Sequence, residues 1–534
     1  MLAVTVVSYS LWWRCSESKR VRNFVRGSGG NSRLPSPMPA LPRWCGFVGG
    51  HTLLMRSGKR VAEFEGWADE LGGDYELHLV GTRAVVVTGL PDIRRILTLR
   101  PTKFKRGLRS NMLKWASRQI GVKDSMFFEE GKAWGRSRRL ISPNLIGHNI
   151  ATMLPLVAKI GERFCDKIGD KADSGDVMKA RDTFARFTHD VIAVVAFGLD
   201  VGSITATAER PCHSFDAIEV KTSAFGRLVR KRLDILAWKY CPMLPWVRET
   251  KEHSRRLENV IQGAIDAVRR EPKVHGAAAE GSIGAGGTLL RKIIDATSGK
   301  GSSDRMQFSD QEVMDEANSL FVAGTETTAL TLCWAMYYLS KNPEAVLRCR
   351  AEALEVAPLS DGMVSTSEQL SKLEFCSAVF KEALRLRTPA PLMMFNSSED
   401  HTLKDGFVVE AGTGLVVLTR AAGVSEEFFT RGKEFVPERW VEADREGALL
   451  GKGAAGDGKS TVVHEADAFM ALGHGPRLCP GKDMAKAEGA IIIAAICARF
   501  DVSMAPGQAD PPEEITSFTN GPKEFDMVFS RNKG

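Results

Sequence analysis

Apolar residues along most of the chain recur with the spacing of an amphipathic α-helix. From about residue 91 to residue 390 they lie three or four positions apart, which is the period of a helix that buries one face. Residues 75–79 instead alternate apolar and polar side chains, as do Val85 and Val87 after Gly81-Thr82. Alternation on both sides of a short turn predicts a β-hairpin. The pattern therefore predicts one large, mainly α domain with a small β portion near its N-terminal end.

Stretches of unusual composition interrupt this pattern. Residues 34–42 are dense in proline and predict a stiff, extended spacer. We therefore divide the chain into an N-terminal segment, residues 1–33, and a main domain, residues 34–534. Residues 276–287 and 447–459 are rich in Gly and Ala and predict surface loops. No repeat of 20–50 residues is visible, which argues against a solenoid.

The N-terminal segment has the features of an anchor and of a targeting peptide. Residues 2–13 are mostly apolar, but a membrane-spanning helix needs roughly 20 such residues. Glu17 is the one acidic residue before residue 63. The predictions are a shortened membrane anchor on the cytosolic face of the endoplasmic reticulum or, alternatively, a cleaved organelle transit peptide or a mis-set start. The basic residues behind the apolar run are Arg14, Lys19, Arg20, Arg22 and Arg26.

The composition is that of an ordinary globular protein. Of 534 residues 43% are hydrophobic and 26% are charged, which excludes a disordered, collagen-like or pure coiled-coil chain. The length allows about three domains, although a single large domain also reaches it. The 72 Lys and Arg against 65 Asp and Glu give a net charge of +7, which is slight for this length. No nucleic-acid partner is predicted, because such proteins concentrate far more positive charge on one face.

One of the ten cysteines differs from the rest in its surroundings. No CxxC pair is present, so a disulfide scaffold or a structural zinc site is not indicated, and nine cysteines are predicted to be buried, reduced thiols. Cys479 lies in the loop Gly473–Gly481, near Arg477 and directly before a predicted helix over residues 482–498. Glycines let a backbone approach a flat ligand, and a helix N-terminus and an arginine favour thiolate over thiol. The alternative is a glycine-rich turn with an incidental cysteine.

A second polar motif lies inside an apolar helix predicted over Asp310–Leu339. Glu326 and Thr327 follow the small residues Ala323 and Gly324, which leave space on one helix face. A carboxyl and a hydroxyl group there can relay protons. The Thr327 hydroxyl can also bond a carbonyl one turn back and open the helix ladder. The alternative is an ordinary Gly/Thr helix contact with an exposed Glu.

Three further pairs carry little information individually. Glu382 and Arg385 lie three positions apart on one helix face, where most ion pairs contribute under about 1 kcal/mol. Arg439 lies in the turn Phe435–Trp440. Trp134 and Arg138 lie one helical turn apart.

Taken in order, these motifs resemble the cytochrome P-450 family of haem-thiolate monooxygenases. The resemblance covers roughly residues 34 to 530 and includes W-x-x-x-R, A-G-x-E-T-T, E-x-x-R, P-E-R-W and G-x-R-x-C-x-G. It implies the family's fold, a haem (iron protoporphyrin) cofactor, and insertion of one oxygen atom of O2 into an apolar small molecule. The alternatives are a reductase-independent haem-thiolate isomerase or dehydratase, and a non-catalytic haem-binding protein. Retention of Glu326 and Thr327 disfavours both.

The resemblance also implies a role for each matched residue. Cys479 would be the iron ligand, whose thiolate donates electron density that favours O–O cleavage. Glu326 and Thr327 would form the acid–alcohol pair that delivers protons toward dioxygen. The residues implied to hold haem are Arg477, Trp134, Arg138, Gly475 and Gly481. The residues implied to form a buried structural network are Glu382, Arg385 and Arg439.

Two positions depart from the family pattern. Leu472 stands where relatives usually have Phe, seven positions before the cysteine. Relatives also carry Arg or His shortly after the segment that matches residues 389–391, as a propionate partner, whereas Met394-Phe395-Asn396 offers no cation. Both departures put the haem's redox tuning in doubt.

The resemblance further implies a separate, NADPH-dependent reductase, because the 35 residues after Arg499 are too few for a redox module. An acidic partner would suit a basic surface. The alternative for that surface is a merely solvated basic helix. An interleaved set of cations and aromatics also suits a membrane interface, and the alternative there is a buried amphipathic helix. The basic surface is predicted from Arg118, Lys132, Arg136, Arg138 and Arg139. The membrane surface is predicted from Arg227, Arg230, Lys231, Arg232, Trp238, Tyr240, Met243, Leu244, Pro245 and Trp246.

Overall fold

The computed structural model describes most of the main domain. The described residues are 34, 58–79, 82–106, 108–123, 125–230, 232–270, 288–298, 308–441 and 468–532. The predicted N-terminal segment, the spacer beyond Leu34 and both Gly/Ala-rich loops lie outside these residues. Among the described helices, none is long and apolar enough to cross a membrane.

Helices make up most of the described chain, which confirms the mainly α fold. Three 3₁₀ turns that position the site add to them, at Ser142–Leu145, Pro437–Trp440 and Gly475–Arg477. The helices are α1 (Arg60–Leu71), α2 (Leu90–Leu99), α3 (Leu108–Gln119), α4 (Gly131–Ile141), α5 (His148–Ala151), α6 (Leu154–Ser174), α7 (Ala180–Phe197), α8 (His213–Arg230), α9 (Arg232–Tyr240), α10 (Pro245–Arg270), α11 (Leu289–Ser298), α12 (Asp310–Lys341), α13 (Pro343–Val356), α14 (Ser367–Ser371), α15 (Glu374–Leu386), α16 (Thr419–Val424) and α17 (Lys482–Arg499).

Strands from both ends of the chain form the β portion. The largest sheet has the order β1-β2-β8-β5-β3, with β2 and β8 parallel and the other pairs antiparallel. A three-stranded sheet has the order β4-β12-β9, and β6-β7 and β10-β11 are separate pairs. The strands are β1 (Tyr75–Leu79), β2 (Thr82–Val87), β3 (Phe104–Lys105), β4 (Met178–Lys179), β5 (Leu392–Ser397), β6 (His401–Thr402), β7 (Val408–Val409), β8 (Gly414–Leu418), β9 (Phe500–Met504), β10 (Glu514–Thr516), β11 (Asn520–Pro522) and β12 (Asp526–Arg531).

The predicted hairpin is present, but the β portion is not confined to the N-terminal end. Strands β1 and β2 pair from Tyr75 opposite Val86 to Leu79 opposite Thr82. The same sheet then continues through β8 and β5, which come from residues 392–418. The prediction was wrong on this point because pairing between distant strands has no local sequence pattern.

The long helix α12 organises the helical part of the fold. It begins at a capping box, in which the Ser309 hydroxyl accepts from the Glu312 amide and the Glu312 carboxylate accepts from the Ser309 amide. Most of its residues are buried, including Trp334. Gly324 permits close packing against α7, since a Cβ there would lie 2.7 Å from Ile192. The helix therefore crosses the core with its middle turn held against α7.

Helix α17 forms the part of the core next to the cysteine loop. Its buried residues are mostly Ala and Ile, and the helix packs against α6, α13 and α15. Gly489 lies so close to Phe380 of α15 that a Cβ would fall 2.2 Å from the ring. These contacts fix the start of α17, which is where the cysteine loop ends.

The described cysteines other than Cys479 follow the prediction with one exception, and Cys15 and Cys45 lie outside the described residues. Cys165, Cys212, Cys333, Cys349, Cys376 and Cys497 are buried free thiols. Cys241 is exposed, because it lies in the turn that connects α9 and α10. The expectation that it would be buried was therefore wrong.

Candidate functional site

The cysteine loop is a tight turn that ends at the first residue of α17. The Cys479 amide donates to the Leu472 carbonyl across 2.9 Å, and the Leu478 amide donates to the Gly475 carbonyl across 3.0 Å. Gly481 is the N-terminal cap of α17. The thiol of Cys479 is consequently held two residues ahead of a helix N-terminus.

Opposing influences act on the Cys479 thiol. Burial raises its pKa, whereas a hydrogen bond from the Gly481 amide and the positive charges of Arg138 and Lys482 lower it. Pro480 has no N–H, so the donor is the second amide after the cysteine rather than the first. Burial is the largest of these influences and leaves the pKa above its ordinary value, and the backbone donor and the two cations offset part of that effect in favour of the thiolate.

Gly475 is required by the packing of the loop against α2. Its φ is +68°, and a Cβ would lie 2.8 Å from the Leu97 carbonyl oxygen and 2.9 Å from the Thr98 Cα. No side chain can replace hydrogen there without moving backbone. The glycine therefore brings the C-terminal end of α2 directly onto the cysteine loop.

Two predicted haem-binding residues stack on each other beside this loop. The Arg477 guanidinium lies 4.5 Å from the ring centre of Trp134 on α4. It also donates to the Glu129 carbonyl across 2.6 Å and lies 3.1 Å from the Glu130 carboxylate. Arg138, one turn after Trp134, is close enough to Cys479 for its charge to act on the thiol. The structure thus brings Cys479, Arg477, Trp134 and Arg138 together.

Two buried arginines that were not predicted from the sequence join this group. Arg106 lies 3.4 Å from the same Glu130 carboxylate. Burial and the neighbouring positive charge of Arg477 lower the pKa of Arg106 to about 10, and burial with the charges of Arg106 and Arg477 lowers the pKa of Arg100 to about 9. Arg106 and Arg477 therefore share the Glu130 carboxylate, and Arg100 lies beside them without an ion pair to it among the described residues.

The polar atoms of this cluster fit a haem with two propionates. Among the described residues, the Nε atoms of Arg100, Arg106 and Arg477 have no hydrogen-bond partner. The two carboxylate oxygens of Glu130 also accept no hydrogen bond from a described residue. Buried guanidinium groups need anionic acceptors, which carboxylates supply with matching geometry. A dicarboxylate cofactor beside Cys479 satisfies this requirement.

The middle of α12 presents a face that protein does not cover. Ala323 is exposed and Thr327 is partly exposed, although the residues around them are buried. The Thr327 hydroxyl donates to the Ala323 carbonyl across 2.9 Å, and the Thr331 hydroxyl donates to the Thr327 carbonyl across 3.0 Å. The hydroxyl that was predicted to bond one turn back does so.

Glu326 points away from this face into a buried ion pair. Arg181, at the start of α7, lies 3.0 Å from its Oε1 atom. Burial raises the pKa of Glu326, and Arg181 and the neighbouring Thr519 hydroxyl lower it by less. Among the described residues none forms a geometrically acceptable hydrogen bond with Oε2. Glu326 is therefore a buried acid with one carboxyl oxygen that no described residue satisfies.

A buried histidine holds α7 against the turn that precedes Glu326. His189 Nδ1 lies 3.1 Å from the Thr325 hydroxyl, and Nε2 lies 2.9 Å from the Ser214 hydroxyl. The Thr188 hydroxyl also donates to the Thr325 carbonyl across 2.5 Å. Burial lowers the pKa of His189 to about 3. The native protein therefore keeps this imidazole neutral.

We expect acid to destabilise the protein through His189. The unfolded chain takes up a proton near pH 6.5, whereas the folded chain does so only near pH 3. The free energy of unfolding should fall by up to about 1.4 kcal/mol per pH unit as the pH decreases from about 6.5 toward 3. Urea unfolding at several pH values should show a shallower dependence for His189→Gln than for the exposed control His213→Gln. Equal slopes would contradict the assignment.

Glu382, Arg385 and Arg439 form a fully buried charge cluster. Arg385 donates to both Glu382 oxygens across 2.7 and 2.8 Å, and Arg439 Nε donates to one of them across 3.0 Å. All three side chains are inaccessible to solvent. The Trp440 indole and the Val436 amide donate to the same carboxylate across 2.9 Å. One carboxylate thus joins α15 to the 3₁₀ turn Pro437–Trp440.

The predicted basic surface is smaller than its sequence suggested. Lys132, Arg139 and Arg118 are exposed. Arg136 is instead paired with Glu312 and lies over the Phe308 ring, and Arg138 is directed toward the cysteine. Residues two positions apart leave a helix on different sides, and both of these sides of α4 meet other parts of the protein.

The predicted aromatic surface is also divided between inside and outside. Trp238 is 5% exposed, and its indole donates to the Gln119 side chain across 3.0 Å. Tyr240 and Met243 are 65% and 79% exposed. The side chains of residues 230–232 lie outside the described set. The tryptophan was wrongly placed at the surface because an amphipathic helix carries aromatics on its buried face as well.

The fold and the site together are those of a haem-thiolate protein, in which a cysteine stands directly before a helix and an arginine cluster lies beside it. The chain belongs to the cytochrome P-450 family, whose model matches residues 39–529. It is 24% identical to carotene epsilon-monooxygenase, chloroplastic, of Arabidopsis thaliana, over 83% of the chain and 77% of that relative. It is 26% identical to cytochrome P-450 monooxygenase pvhE of Talaromyces variabilis, over 94% of the chain and 88% of that relative.

Proposed function

We propose that this monooxygenase inserts one oxygen atom of O2 into an apolar small molecule, with electrons from a separate NADPH-dependent reductase. The observation that supports it most is an acid beside a hydroxyl in the middle of α12: Thr327 lies at the uncovered face, and Glu326, one position earlier, is buried and paired with Arg181. A reductase-independent isomerase, or a protein that only binds haem, has no use for a proton relay there. The family supports monooxygenase activity in general, and the substrate and reductase are our proposal.

Haem, when bound, supplies the redox centre for oxygen activation, and this chain supplies the groups around it. Cys479 would ligate the iron, and Arg477, Arg106 and Arg138 would hold the haem carboxylates. The Glu326 carboxyl, whose pKa burial raises, holds a proton at neutral pH more readily than an exposed Glu. Thr327 orients water on the uncovered helix face, so a proton can move from Glu326 through that water.

Consumption of NADPH and O2 distinguishes the three functions. The haem-loaded protein is incubated with a cytochrome P-450 reductase, NADPH and a candidate substrate, and cofactor oxidation and hydroxylated product are measured together. Product that depends on the reductase supports the proposal. Rearrangement of a peroxide without reductase would instead identify the isomerase or dehydratase. If neither reaction occurs, the protein only binds haem.

Thr327→Ala should uncouple the enzyme rather than inactivate it. Without the hydroxyl, ordered water is lost, so NADPH is still oxidised while peroxide is released in place of product. Product per NADPH should fall roughly tenfold, which is less than the roughly 100-fold or larger effect of a general acid–base group because disordered water still delivers protons. The control is Thr331→Ala, which removes the equivalent back-bonding hydroxyl one turn later. Equal coupling in both variants would exclude the relay.

An aromatic cluster in the part of the core that includes α12 supports an apolar substrate. The Phe518 ring lies 4.9 Å from that of Phe225 on α8 and 6.1 Å from that of Phe127. Phe127 is 49% exposed, which is unusual for a side chain in such a cluster. Difference spectra with sterols, fatty acids, terpenoids and carotenoids, the last because of the carotene relative, would identify the substrate class. A shift produced only by charged, water-soluble ligands would contradict the proposal.

Partner and location are proposed from surface chemistry. The exposed cations Lys132, Arg139 and Arg118 suit an acidic reductase, and exposed Tyr240 and Met243 suit a membrane surface. Residues 1–33 direct the chain to the endoplasmic reticulum or to an organelle. The organelle alternative is supported by relatives whose names include "chloroplastic". A fluorescent fusion to residues 1–33, imaged with markers of both compartments, separates the two locations.

A further inference from the structure

Arg100 is a buried arginine at the point where α2 meets the cysteine loop. It is the C-terminal cap of α2 and is 8% exposed. Its guanidinium lies 4.8 Å from the ring centre of Phe395 on β5. Gly475 fixes its position, because the backbone of the loop contacts Leu97 and Thr98 of the same helix end.

This guanidinium lacks the anion that its burial requires. Arg100 forms no hydrogen bond and no ion pair within 4 Å with any residue that the structure describes, and its Nε is fully enclosed. Its charged neighbours are Arg106, Arg477 and Glu130, so repulsion exceeds attraction. A cation–π contact alone contributes about 0.5–2 kcal/mol, which is less than the cost of burying an unpaired charge. A carboxylate is needed between Arg100 and its neighbours.

Strand β5 carries no cation at the place where the family uses one. Its residues are Leu392, Met393, Met394, Phe395, Asn396 and Ser397. Met393 approaches Gly473 of the cysteine loop, since a Cβ on that glycine would lie 3.6 Å from its methyl group. Phe395 is two positions further along and therefore on the same face of the strand. Arg100 covers this ring, so its charge occupies the space next to the β5 face.

We propose that Arg100 binds a haem propionate and supplies from the end of α2 the positive charge that β5 lacks. Phe395 acts as the platform that orients the guanidinium plane, and Arg106 and Arg477 share the same carboxylates. The residue belongs to cofactor binding and not to substrate recognition, because its charged neighbours are the residues beside Cys479.

Haem retention measures this role without any turnover. Arg100→Gln should transfer haem to excess apomyoglobin about tenfold faster than the wild-type protein does. A tenfold change corresponds to the loss of one charge-assisted hydrogen bond. The control is Arg95→Gln, on the exposed side of the same helix, where the guanidinium donates only to the Thr402 carbonyl. Arg100→Lys, which keeps the charge, should recover part of the loss. Equal transfer rates for Arg100→Gln and Arg95→Gln would overturn the proposal.

Esterified haem separates propionate binding from a structural role. The apoprotein and its Arg100→Gln variant are each reconstituted with haem and with haem dimethyl ester, which has no carboxylates. The tenfold difference should be present with haem and absent with the ester, and the propionate-bending band in the resonance Raman spectrum should shift only in the haem-loaded variant. A difference that persists with the ester means that Arg100 acts through folding, and the proposal fails. Both measurements depend on haem binding alone, so the absence of oxygen insertion would not affect them.

Discussion

Cys479→Ser should abolish the strongly red-shifted Soret band of the ferrous carbon-monoxide complex. That band requires a thiolate ligand, and a serine hydroxyl is a poor donor to iron. The Gly481 amide, Arg138 and Lys482 favour the anionic form of this cysteine in particular. We expect complete loss of the band and of product, measured on purified protein with haem content determined separately.

Cys241→Ser is the matched control, because Cys241 is a free thiol that is exposed and far along the chain from the loop. It should keep the full red-shifted band. Survival of the band in Cys479→Ser, with normal haem content, would show that another residue ligates the iron.

Glu382→Gln should cost several kcal/mol of stability. The carboxylate accepts from both arginines, from the Trp440 indole and from the Val436 amide, and nothing solvates it. A neutral amide leaves Arg385 and Arg439 buried without a counter-charge, for which about 3–5 kcal/mol is typical. The midpoint of urea unfolding should fall accordingly, and the yield of folded, haem-loaded protein should fall with it.

The exposed ion pair between Glu368 and Lys372 on the neighbouring helix provides the comparison. Both side chains are more than half exposed, and Glu368→Gln should change the free energy of unfolding by less than about 1 kcal/mol. If Glu382→Gln is as stable as Glu368→Gln, the buried cluster does not hold α15 to the 3₁₀ turn Pro437–Trp440.

Local patterns predicted the local parts of this fold. The hairpin β1-β2 and the helix α12 were predicted because alternation and helical period describe neighbours in sequence. The parallel pairing of β2 with β8 was not, since Val85 and Leu415 are distant along the chain and share only apolar character. The structure shows which distant strands pair, and a single sequence does not allow that pairing to be predicted.

The site shows the same division. Cys479, Glu326 and Thr327 were found because their spacing is specific, while Arg100 and Arg181 lie in segments without a motif. From the sequence alone, each of these two arginines is predicted to be an ordinary surface cation. Only the fold shows that Arg100 is buried beside the cysteine loop and that Arg181 meets Glu326. The role inferred for each arginine depends on its burial, and burial is a property of the folded chain.

The turn between β10 and β11 has a consequence for engineering this enzyme. Phe518 packs into the aromatic cluster, while its neighbour Thr519 lies beside the carboxyl of Glu326. A library that shortens Phe518 to admit bulkier molecules therefore also moves a group next to Glu326, the acid that we propose as the proton donor. On that proposal, enlarged pockets should waste reducing equivalents, and selection for turnover alone should enrich variants that consume NADPH without yield. Screening peroxide release alongside product is the way to recover variants in which the two neighbours have been changed together.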